Sequence, residues 1–135
     1  MANALYDKGR EGFLDGNIDW DTNDIRLVLV DEADDTIDLA VDDNLDDRAA
    51  PSRVATSDAL AGKTVTNGIA DATDKVFTAI SGDPFESIDF YKHTGTESTS
   101  RLICNVDTAT GLPCTPNGGD ITVQFDDGAN KIFKL

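Results

Sequence analysis

The chain has 135 residues, which suits one β-domain that folds without a metal or a disulfide framework. Its 26 Asp and Glu stand against 11 Lys and Arg, a net charge of −15. A field of that sign repels phosphate backbones and anionic membrane surfaces, so neither nucleic acid nor membrane is an expected partner.

Taken in chain order, residues 1–17 read as an N-terminal arm and 18–135 as a single β-rich domain. Within the arm, Asn3 to Leu14 has one apolar edge (Leu5, Gly9, Gly12, Phe13) of a short helix that its glycines weaken and Gly16 ends. Ile25 to Val30 is apolar on both faces except at Arg26, as in a central strand. Thr36 to Val41 alternates and predicts a strand with Ile37, Leu39 and Val41 inward. Asp42 to Arg48 predicts a charged connection with one helical turn around Leu45, and Pro51 bars its continuation.

Arg53 to Leu60 predicts the next strand, and Gly62 a turn. Asn67-Gly68, inside Thr64 to Ala70, predicts a type I′ hairpin. Lys75 to Ile80 follows as a strand. Phe85 to Lys92 sets Ile88 and Phe90 against Asp89 and Tyr91. His93 to Ser100 predicts a loop, and Arg101 to Val106 a strand with Leu102, Cys104 and Val106 on one face. After a long turn region from Asp107 to Gly119, Ile121 to Phe125 alternates, and Lys131 to Leu135 closes the chain. Of the acids, 22 are Asp, a turn-favouring residue, against four Glu. Short strands with frequent turns predict a mainly β fold, an antiparallel β-sandwich or barrel with a short N-terminal helix or arm.

Few residues point to chemistry. The one histidine, His93, sits in a polar loop, and nothing resembles a nucleophile elbow, so no catalytic residue is expected. The oxygen-rich run Asp15-Gly16-Asn17-Ile18-Asp19-Trp20-Asp21 is the best metal candidate, but a calcium loop of the EF-hand type needs Gly and Glu where Trp20 and Arg26 stand. Asp42, Asp43, Asp46 and Asp47 form a second acidic cluster. Solvated acidic loops are the expectation for both, with no metal and no cofactor. No glycine-rich phosphate loop follows a strand, and no Cys or His spacing fits zinc. Cys104 and Cys114 read as two partly buried thiols, with a single bridge left open. No apolar run is long enough to span a bilayer and no leader pattern opens the chain, so synthesis in a cytosol is expected.

The apolar surplus lies at the two ends. Leu5, Tyr6, Phe13 and Leu14, with Trp20 just beyond, sit on a segment too short and glycine-rich to stand alone, and Ile132, Phe133 and Leu135 pose the same problem at the other end. Leu5, Tyr6, Phe13, Leu14 and Trp20 are therefore the expected interface residues, docking on a neighbouring subunit. The alternative is that the segment folds back on its own domain.

Several stretches resemble small virion structural proteins of tailed phages. They are Ala4 to Leu14 followed by Ile18-Asp19-Trp20, Lys63 to Gly68, Tyr91 to Thr96, and the close from Pro116 to Leu135. The likeness covers most of the chain and brings no catalytic residues with it. It implies a non-enzymatic virion component made in the bacterial cytoplasm. The favoured role is a capsid decoration (cement) protein that binds the major capsid protein on the outer head surface, as a homo-oligomer and by analogy a trimer. A neck, tail, baseplate or fibre component is the alternative. A host-binding module would use exposed aromatics, with Trp20, Tyr6 and Tyr91 as candidates, and a small enzyme or inhibitor is the third class.

Overall fold

The computed structural model describes residues 3–135. Strand β1 (Ala4–Leu5) leads into helix α1 (Asp7–Leu14). The strands that follow are β2 (Ile25–Val30), β3 (Arg53–Thr56), β4 (Thr64–Thr66), β5 (Ile69–Asp71), β6 (Lys75–Phe77), β7 (Ser87–Lys92), β8 (Leu102–Val106), β9 (Ile121–Val123) and β10 (Phe133–Lys134). All named pairings are antiparallel, and the fold is mainly β. One sheet has the order β1-β8-β7-β2-β3. The others are the three-stranded β10-β5-β4 and the two-stranded β6-β9.

The sheets layer as in a sandwich. Ile25, Leu27 and Leu29 of β2, with Ile88 and Phe90 of β7, project from one face of the five-stranded sheet. They pack against Ala70 and Phe133 of the three-stranded sheet and Phe77 of the two-stranded one. Alternate residues of the same strands cover the opposite face, where Val28, Val30, Tyr91 and Leu102 form a second cluster with Tyr6 and Leu45. Both faces of β2 are thus buried, which is why its sequence is apolar throughout but for Arg26. The Asn67-Gly68 hairpin joins β4 to β5 with φ of 53° and 77°, as a type I′ turn requires.

Three expectations are corrected. Thr36 to Val41 is not a strand, because Asp38 turns the chain: its carbonyl accepts the Val41 and Asp42 amides and its carboxylate accepts the Ala40 amide. Ile37 and Leu39 still pack on the second cluster, whereas Val41 is exposed. On β8 the register shifts opposite Phe90 and Tyr91, so Leu102 pairs with Tyr91 and Cys104 with Phe90. That irregularity puts Leu102 on the second face, away from Cys104.

The third correction concerns the division at residue 17. Met1 and Ala2 lie outside the described residues. From Ala4 onward the segment is part of the body: β1 pairs with β8, and the Tyr6 amide donates to the Ile103 carbonyl at 3.0 Å. The two glycines that weaken α1 as a free helix allow it to lie flat. A Cβ on Gly9 would meet the Ile103 carbonyl oxygen at 2.5 Å, and one on Gly12 would meet Ile18 Cδ1 at 2.6 Å. Gly16, at φ 80°, follows the helix end. The single turn around Leu45 is present, as Leu45–Asp47.

Replacing Gly9 tests this seating. Ala is the better helix former by about 1 kcal/mol, so a free or loosely held helix would gain stability from Gly9→Ala. Because the new methyl runs into backbone, we expect a net loss of about 1–3 kcal/mol in a thermal melt. An unchanged or raised melting temperature would show that α1 is not seated on β8.

Candidate interaction surface and its support

The structure separates the five expected interface residues. Tyr6 is fully buried, Leu5 and Trp20 are in the core, and Phe13 is half-buried against it. Leu14 is the one that faces solvent, at 88% exposure. A docking arm built on all five is therefore ruled out for this conformation, since most of its apolar surface is spent inside the chain.

Part of the set nevertheless lies on one surface. Phe13, Ile18, Trp20, Val65, Phe133 and Leu135 line a groove of about 430 Å³, with Gly16 and Gly68 at its edges. Its floor is aromatic. Trp20 meets Phe133 edge-on with centroids 5.3 Å apart, and Phe13 lies 5.7 Å from Phe133. The indole Nε1 donates to the Asp71 carbonyl at 3.0 Å, which fixes the ring. Val65 and Leu135 are 54% and 60% exposed and line the groove, and Leu14 follows Phe13 at the end of α1. Two of the five large apolar side chains exposed among the described residues thus line the groove; Leu14, Val41 and Val76 do not. Asp19 and Asp21 also line the groove.

The opposite side of the main sheet is polar and closed. Residues 31–52 carry nine acids, yet they lie across the second apolar cluster. What admits them is Arg48, whose side chain is completely buried. Its Nε sits 3.1 Å from Asp89 Oδ2, a charge contact outside hydrogen-bond geometry. Its Nη1 donates to Asp35 at 3.2 Å and to the Thr36 carbonyl at 3.3 Å, and its Nη2 meets Asp42. Asp89, in the middle of β7, is fully buried too. Its Oδ1 accepts hydrogen bonds from the Tyr6 hydroxyl at 2.6 Å and from Asn105 Nδ2 at 2.8 Å. Burial pushes the Tyr6 hydroxyl well above its ordinary range, so it stays protonated and donates. The alternation of Phe85 to Lys92 does not reveal that Asp89 is buried and paired, because the opposing charge, Arg48, lies 41 positions away and carries no local signal.

The remaining candidates resolve into local roles. Asp43, Asp46 and Asp47 do come together. Asp47 Oδ2, however, accepts the Asp43 amide at 2.7 Å and completes a capping box with Asn44. Asp15 accepts the Asn17 amide, and the Asp19 amide donates to Asn23 Oδ1 at 2.8 Å. His93 lines a polar basin with Arg26, Arg53, Tyr91 and Ser100. Both guanidiniums there are engaged, Arg26 by Asp24 at 2.8 Å and Arg53 by Glu97 at 2.7 Å. Cys104 is buried and Cys114 half-buried, and the two are not bonded. No described helix is long and apolar enough to cross a membrane.

Substitution at Arg48 tests the buried pair. Arg48→Met leaves Asp89 without its cation, an expected loss of about 3–5 kcal/mol near neutral pH. Burial raises the Asp89 carboxyl to about 6, against hydrogen bonds from Tyr6 and Asn105 and the attraction of Arg48, which hold it down. Because the folded state holds this proton more tightly than the unfolded chain, the group's contribution is full below about pH 4 and falls as pH rises through 6. Without Arg48 that fall steepens, so the Arg48→Met deficit in urea unfolding should be smaller at pH 5 than at pH 8. A deficit independent of pH would contradict the pairing.

Neither a protein-family model nor a curated protein matches this chain.

Proposed function

We propose that this chain is a non-enzymatic structural component of a tailed-phage particle, a decoration protein that binds the major capsid protein on the outer surface of the head. The observation that carries the reading is the contrast between a strongly acidic body and one apolar groove edged by Val65 and Leu135. A net charge of −15 keeps free copies soluble and apart before assembly. The same charge suits a face turned to water and suits a DNA-lined interior badly. The groove supplies an apolar contact of the kind that assembly partners cover. The resemblance of Ala4 to Leu14, Lys63 to Gly68 and Pro116 to Leu135 to virion proteins points the same way. A trimer of sister copies, if it forms, needs a surface other than Leu5, Tyr6 and Trp20, which the chain uses for itself. Placement in the neck, tail, baseplate or fibre is the alternative.

Copy number decides between them. Purified particles from a lysate of the producing host, quantified by mass spectrometry against the major capsid protein, should contain this chain in hundreds of copies. A dozen or fewer would move it to the neck, baseplate or fibre, and its absence from particles would overturn the assignment.

A further inference from the structure

We infer that the groove lined by Phe13, Ile18, Trp20, Val65, Phe133 and Leu135 receives an apolar segment flanked by lysine or arginine on the shell protein. The inference rests on the particle role proposed above and names the partner's chemistry. Three features converge. The floor is formed by rings fixed through mutual ring contacts and the Trp20 hydrogen bond, so it needs little ordering on binding. Its volume of about 430 Å³ falls in the range of pockets that hold small ligands or a few side chains. The charged residues lining it are Asp19 and Asp21, both exposed, and Lys63 is close enough to act on Asp21. The pair of acids on a body of net charge −15 selects for a cationic flank and against acidic ones. It also argues against a second copy as the occupant, since that copy would bring another −15 to the contact.

Trp20 is the only tryptophan and lines the groove, so its fluorescence reports occupancy of this site. Three short synthetic peptides serve as probes: one of Leu and Lys, one of Lys and Gln, and one of Leu and Glu. The Leu/Lys peptide should shift the Trp20 emission saturably, and the other two should not. Val65→Asp, at an exposed hairpin position, should weaken that binding at least about tenfold while the circular dichroism melt stays that of the parent. Asp19→Asn with Asp21→Asn should weaken it as well. Equal binding of the Lys/Gln peptide, unchanged binding by Val65→Asp, or no shift with the Leu/Lys peptide would each overturn the inference. Head binding separates the two proposals. If Val65→Asp protein decorates heads as well as the parent, the groove is not the docking face but the particle role stands. If the parent protein is missing from particles, the particle role fails, and with it the shell protein as the occupant.

Discussion

A single buried contact, Arg48 with Asp89, makes the arrangement of this chain possible. The strand β7 carries a carboxylate at its centre, enclosed on all sides. An isolated charge there would cost several kcal/mol, and the sheet face around it would have to stay open to water. Arg48 removes that obstacle, and because it has a planar, many-armed donor head it also gathers Asp35 and Asp42. An acidic stretch that would otherwise be repelled from the sheet is thereby drawn onto it. Tyr6 and Asn105 complete the set, so β1, β7, β8 and the 31–52 segment meet at one point.

The closure of that face has a consequence on the other side. With the second cluster covered by Ile37, Leu39 and Leu45, exposed apolar side chains remain at Val65 of the β4–β5 hairpin and Leu135 at the C-terminus, which line the groove. The groove there is assembled from three separate stretches of sequence, held by Phe133 against Trp20 and Phe13 and by the Leu135 amide donating to the Gly68 carbonyl. Its shape depends on the same main sheet that the buried pair supports from behind, through Phe90, which lies 6.4 Å from Trp20.

What the sequence revealed follows the range of the interactions concerned. Ile25 to Val30, the Asn67-Gly68 turn and the single turn at Leu45 are set by neighbours, and all three were legible. Thr36 to Val41 alternates as a strand does, but Asp38 captures its own following amides, a local competition that hydrophobic period alone does not register. The burial of Asp89 was not legible because its counter-charge comes from a distant segment. Gly9 and Gly12 were read as defects of a helix, when their missing side chains are what let α1 touch β8 and Ile18. The expected interface set was legible in part. Phe13 and Trp20 line the groove and Leu14 faces solvent, whereas Leu5 and Tyr6 are core, a distinction that depends on how the first strand pairs.

The acidic segment is locked to the sheet and does not merely lie near it. Native-state amide exchange addresses this directly. The Leu45 amide, donating to the Ser100 carbonyl at 2.9 Å, and the Leu102 amide, donating to Asp43 at 3.0 Å, join the segment to the body. With the segment so held, both exchange only as slowly as the Leu27 amide of β2, through global unfolding. Exchange of the two by a separate, low-energy opening, while Leu27 stays protected, would show that Arg48 and Asp89 do not hold the segment in place.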